Sequence, residues 1–252
     1  MNDSAWLPEL AAHLASGALA LFVGGDAPAA VAGLPSRQER ADRLALRVGL
    51  TPGPTLAEIT QRLARRGQRW EFTDFLIHAL DAATSPQGWH TRLAQLPVTT
   101  IITTAYDDRL ARALRSSGRP FDHLVQASQV AFRTPRAVSL IQLYGWVGQP
   151  DTLVVTETDM LQFWENPAKK ALLDRVRTIL EEYHLLVVGQ DLADPIFKQL
   201  WANNLARLGS LTPAAYAVAP DASADQQAVW ADRNLHILPA DPLAVLAQLA
   251  AP

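Results

Sequence analysis

Residues 18–35, ALALFVGGDAPAAVAGLP, decide how the rest of the chain is read. An apolar run, Leu19 to Val23, stops at Gly24-Gly25, and a loop of small residues then carries the chain to Gly33-Leu34-Pro35. This order predicts a buried first strand, a tight turn and a ligand-facing loop. In an open α/β sheet, the crevice outside the carboxyl end of such a strand suits a nucleotide. The helix that follows presents free N–H groups and the positive end of its dipole there. Asp26 is the odd residue, because it sets a negative charge where a phosphate would be received. It either bonds a ribose hydroxyl or caps the next helix.

Working outward, Leu7, Leu10, Ala11 and Leu14 have helical spacing before Gly17, so a helix leads into the first strand. On the other side of the loop, Ser36 and Glu39 form an S-x-x-E capping box, and Thr55 and Glu58 repeat it. Phe72, Phe75, Leu76 and Leu80 fall on one helical stripe. From about 37 to 95 only helical patterns occur, which predicts a helical insertion placed to lid the cleft. Further strands are expected at Val98 to Thr103, Val138 to Leu143, Thr152 to Val155, Leu185 to Val188, Ala214 to Val218 and Leu235 to Leu238. Helices are expected after Asp107, from Asn166-Pro167 through Glu182, after the N-cap Asp194-Pro195, at about Ala222 to Asp232 and at Pro242 to Ala250. Alternating strands and helices predict an α/β fold, a Rossmann-like, doubly wound, mostly parallel sheet in a single domain over 1–252.

Composition narrows the function. The net charge of −3 comes with scattered Lys and Arg, which leaves no electrostatic footprint for direct nucleic acid binding. Without cysteine there is no disulfide, no thiolate nucleophile and no cysteine zinc site. The six histidines lack paired metal-binding spacing, so no metal is expected and none of them is assigned a catalytic role. No apolar run reaches the ~18 residues of a spanning helix, and the N-terminus lacks the order of a signal peptide. A cytoplasmic protein without a membrane partner is expected. Trp146, Trp164 and Trp201 read as core residues, with interface anchoring as the alternative.

Four predicted strand ends then meet on one sheet edge: Gly24-Gly25, Thr103 to Asp107, Tyr144-Gly145, and Gly189 to Asp194. Their order resembles the SIR2-like (sirtuin-type) NAD-binding domain, in the bacterial SIR2-like branch. That family shows GAGxSxxxGxP, TTNYD or TQNxD, KLHG and a late VGxSLxDP. The counterparts here are GGDAPAAVAGLP, TTAYD, QLYG and VGQDLADP, together with DTLVVTETDM, over residues 19–201. The resemblance implies NAD or an ADP-ribose-like nucleotide at Gly24, Gly25, Asp26, Pro35, Ser36, Arg37, Thr104, Ala105, Asp107, Tyr144, Gly189, Gln190 and Asp191. It also implies assembly with further copies or a protein partner.

The departures fall on the chemistry. Registered on Pro35, the first glycine is Gly25, the alanine Asp26, the second glycine Ala27 and the serine Ala29; a shift by one residue puts Asp26 on the second glycine. In the family the asparagine of TTNYD holds water and ribose, and the histidine of KLHG accepts a proton from the ribose. Ala105 and Tyr144 stand at those positions. Alanine brings no polar atom, and an ordinary tyrosine, with a pKa near ~10, is a poor base at neutral pH. Losing a general base costs about 10² to 10⁴ in rate. No catalytic residue is assigned, although Asp107 is a candidate and reads equally well as a helix-start residue. Zinc-module deacetylation is excluded. Three readings stay open: an impaired, nucleotide-binding module in a bacterial defence or signalling assembly; an active NAD-hydrolysing enzyme; and a scaffold with a closed pocket.

Overall fold

The computed structural model describes residues 6–25, 37–81 and 88–250. Within these, seven strands form one sheet: β1 (Leu19–Val23), β2 (Thr100–Thr103), β3 (Phe121–Leu124), β4 (Val138–Gln142), β5 (His184–Val188), β6 (Ala215–Val218) and β7 (Leu235–Leu238), in the order β3-β4-β2-β1-β5-β6-β7. Every pairing is parallel. The chain winds outward from β1 in both directions, which makes the carboxyl end of β1 the switch point where open α/β sheets place their ligands.

The sheet is covered on both faces, which is why its strands read as continuous apolar runs. One face carries Leu19, Leu21, Val23, Ile101 and Leu186, packed against α1 (Trp6–Ala15), α5 (Gly88–Gln95), α6 (Arg109–Ser116) and α11 (Pro242–Leu249). The other carries Ala20, Phe22, Ile102, Leu185 and Val187. It meets α2 (Arg37–Arg47), α3 (Leu56–Arg65), α4 (Arg69–Asp81), α8 (Pro167–Glu182), α9 (Pro195–Leu208) and α10 (Ala224–Ala231). Phe22 meets Phe197 edge-on at 5.0 Å between centroids, locking β1 to α9. The stretch between β1 and β2 is helical where described, with Phe72, Phe75 and Leu76 buried against the second face. The Thr55–Glu58 capping box forms as expected, and Asn166 and Asp194 cap α8 and α9, each before a proline. Of the Ser36–Glu39 box, Ser36 lies outside the described residues.

Two strand expectations are corrected. Thr152 to Val155 is not a strand: a 3₁₀ turn at Pro150–Thr152 leads into α7 (Glu157–Leu161). This apolar run is buried, but side chains take the carbonyls that a neighbouring strand would take. Arg69 donates to Leu153 O at 3.0 Å, the Tyr106 hydroxyl to Val154 O at 2.9 Å and the Thr60 hydroxyl to Val155 O at 3.1 Å. The unexpected strand is β3, whose polar Asp122 and His123 are tolerated because it lies at the sheet edge and is only half-buried. Other strand boundaries move by one or two residues, the usual fraying at element ends.

Lys169, on α8, is a buried cation in the second core. Its ammonium donates to Val125 O at 3.1 Å, tying the segment after β3 to the helix. Burial disfavours the charged form and lowers its pKa from 10.5 to about 8. Between those values the unfolded chain binds the proton that the folded chain has lost, so stability rises with pH across that window. Denaturant unfolding from neutral pH up to pH 10.5 is expected to show this rise, and Lys169→Met to flatten it.

Candidate functional site

The ends of β1, β2 and β5 meet in a seam that requires glycine. A Cβ added to Gly24 would lie 2.0 Å from the carbonyl oxygen of Gly189 and 2.3 Å from Cα of Gln190. Gly24 N–H donates to Val188 O at 2.9 Å, so the backbones after β1 and β5 run in direct contact. Gly25 faces the other flank, where its missing Cβ would stand 3.3 Å from Cα of Ala105. Over this pair the Thr104 hydroxyl donates to Gln190 Oε1 at 2.8 Å, joining the loops that follow β2 and β5 across β1. The structure therefore brings Gly24, Gly25, Thr104, Ala105, Gly189 and Gln190 together. Asp26, Pro35, Ser36 and the side chain of Arg37 lie outside the described residues.

The loop after β2 is held from below. The Gln142 amide donates to Ala105 O at 2.7 Å and Asp107 O at 2.9 Å, while Ala105 N–H donates to the Thr103 hydroxyl at 3.1 Å. Asp107 accepts from the backbone N–H of Arg109 at 3.0 Å and pairs with its buried guanidinium at 2.8 Å. Its carboxylate is thus engaged at the start of α6. Asp108 pairs with Arg112 at 2.8 Å, one turn along.

Tyr144 stands at the end of β4 and is 1% exposed. Its hydroxyl donates to Asp194 Oδ1 at 2.5 Å. The same oxygen accepts the N–H groups of Ile196 and Phe197, both at 3.0 Å, so one carboxylate caps α9 and receives the phenol. The Tyr144 ring lies edge-on to Phe163 at 6.1 Å. Gly145 follows with φ +85°, and a Cβ there would lie 2.2 Å from Thr152 O, so this glycine is required by the fold itself.

Gln190 and Asp191 open onto a cleft of about 540 Å³ outside the ends of β5 and β6. Sequence reasoning missed its other polar residues, Lys198, Asp221, Asp225, Gln226 and Arg233, with the Arg233 guanidinium 5.3 Å above the Trp230 ring. A recess of about 20 Å³, room for one water, lies behind Gly25 and Ala105 and is lined by Gln142 and by Trp89, whose buried indole N–H has no partner among the described residues. Gln142 was also missed; it was legible only as a letter of QLYG. Among the described residues no cluster of three His, Asp or Glu is arranged to hold a metal, and no helix is long and apolar enough to cross a membrane.

Two substitutions test this geometry by urea unfolding. Gly24→Ala is expected to cost roughly 3 kcal/mol or more, because backbone must separate at the switch point, whereas Gly88→Ala, with open space around it, serves as the neutral control. Tyr144→Phe is expected to cost about 1 to 2 kcal/mol by removing a donor from a buried carboxylate.

Comparison with solved structures finds the same fold. A triple mutant of a Sir2 homologue in complex with 2'-O-acetyl ADP ribose matches with a TM-score of 0.58 at 15% identity, covering 96% of this chain and 94% of that one. A Sir2 histidine-to-tyrosine mutant with a p53 peptide and NAD matches with a TM-score of 0.53 at 14% identity, covering 96% of each chain. No curated protein matches the sequence. The family model described as SIR2-like domain matches residues 99–238, more than half of the chain, including the ends of β2, β4 and β5. With its sheet order and its strand-end seam, the chain belongs to the SIR2-like domain family.

Proposed function

We propose that this domain holds an ADP-ribose-like nucleotide across the carboxyl ends of β1, β2, β5 and β6 and does not cleave the nicotinamide bond in the sirtuin manner. The observation that carries this reading is the Tyr144–Asp194 hydrogen bond. At the strand end where the resemblance would place a proton acceptor, the phenol is a donor, buried and pointed at a helix cap. Ala105 supplies no polar atom beside it, and the Asp107 carboxylate is neutralised by Arg109. No described group in the seam is free to act as a base.

Binding is supported by shape. The cleft at Gln190 and Asp191, about 540 Å³, has the volume of a site for a nucleotide moiety. Asp191, Asp221 and Asp225 are acceptors suited to sugar hydroxyls, and Lys198 and Arg233 supply positive charge. The N-terminus of α9 is not available to a diphosphate, because Asp194 already takes its first free N–H groups. The similar Sir2 structures, one with 2'-O-acetyl ADP ribose and one with NAD, carry this class of ligand on the same fold.

Calorimetric titration with ADP-ribose is expected to give saturable binding that Ala193→Trp, which fills the cleft, abolishes. Incubation with NAD is expected to release no nicotinamide. Release of nicotinamide that Asp107→Ala eliminates would overturn the non-cleaving reading, and the absence of heat with both ADP-ribose and NAD would overturn binding.

A further inference from the structure

The loop that faces the seam is held only in part by its neighbours in sequence, Thr103 and Arg109. The rest of its support is a two-step relay that starts on the edge strand. His123, on β3, places Nε2 2.5 Å from Gln142 Oε1, and its ring lies 5.3 Å from that of Trp146. Gln142, at the end of β4, sends its amide nitrogen to two carbonyl oxygens, Ala105 O at 2.7 Å and Asp107 O at 2.9 Å. Carbonyls only accept, so both amide hydrogens are committed to the loop and the amide oxygen must turn to His123. That oxygen accepts as well, so Nε2 of His123 must carry a hydrogen. The opposite tautomer would set a lone pair against a lone pair. Rotating the amide to escape that clash would then aim its oxygen at both loop carbonyls.

We propose that His123 is a positioning residue for the nucleotide-facing loop: its Nε2–H fixes the orientation of the Gln142 amide, which holds Ala105 and Asp107 in the shape that borders the seam. The histidine touches neither the seam nor the cleft and acts only through Gln142. Burial lowers its pKa, with the Gln142 hydrogen bond and Asp108 acting against this and Arg115 with it; the net direction is down, which favours the neutral ring, whose single hydrogen the geometry places on Nε2. The consequence for ligand affinity rests on the nucleotide-binding reading above. The consequence for loop order does not.

The test uses two variants of the full chain. His123→Phe keeps a ring and removes the donor; His123→Gln places an amide N–H near the position of Nε2. Amide hydrogen exchange over residues 104–108, measured without ligand, is expected to accelerate about tenfold in His123→Phe and to return close to wild type in His123→Gln, because one buried hydrogen bond is lost and regained. Affinity for ADP-ribose is expected to fall about tenfold and recover in the same order. Nitrogen NMR of the wild-type imidazole is expected to show Nε2 protonated and Nδ1 bare, a readout that does not depend on whether His123→Phe folds. Hydrogen found on Nδ1 alone, unchanged loop exchange in His123→Phe, or uniformly faster exchange across the sheet that His123→Gln does not reverse would each overturn the relay. If the wild-type protein binds no ADP-ribose, the nucleotide reading fails, while loop exchange and the imidazole spectrum still decide the relay.

Discussion

The approach of the Gly24 backbone to Gly189-Gln190 at the switch point leaves no room for a Cβ, and the rest of the site depends on it. With no Cβ on Gly24, the chains leaving β1 and β5 can touch, and only then can Thr104 and Gln190 close a hydrogen bond over the top of β1. A glycine pair after a buried strand usually suggests an approach of backbone to ligand. Here the first glycine serves the approach of backbone to backbone. The second abuts the Ala105 loop, so the pair frames the crevice from within.

Polar groups around this frame are engaged by the protein itself. Asp107 is paired with Arg109, Asp194 caps α9 while receiving Tyr144, and Gln142 binds the loop after β2. Each arrangement satisfies a buried or half-buried group that would otherwise cost free energy. Together they tie the rim's polar groups to one another within the protein. The polar, open part of the crevice is displaced toward β5 and β6, where Asp191, Lys198 and Arg233 face a cleft of about 540 Å³.

The strand ends were legible in the sequence because each combines a β-branched or aliphatic run with an abrupt polar or glycine stop. Gly24-Gly25, Thr104-Ala105, Tyr144-Gly145 and Gly189-Gln190 all lie where such stops predict. The failures have a common cause. Leu153 to Val155 is apolar and β-branched, but its carbonyls are met by Arg69, Tyr106 and Thr60, which lie far away in sequence. The strand containing Asp122 and His123 shows no alternation because an edge position asks for none. His123 and Gln142 carried little local signal, since their partners lie on another strand or in another loop, far away in sequence.

The sequence by itself determined the alternation of strands and helices, the parallel sheet, the helix caps at Thr55, Asn166 and Asp194, and the replacement of asparagine and histidine motif positions by Ala105 and Tyr144. These are properties of short segments, fixed by burial periodicity, backbone preference and residue identity. Only the tertiary structure decided that the Tyr144 hydroxyl meets Asp194, that Gly24 meets Gly189, and that Gln142 stands between His123 and the loop after β2. Those contacts join residues brought side by side by parallel strands with long crossovers, and a hydrogen bond forms between neighbours in space, whatever their distance along the chain.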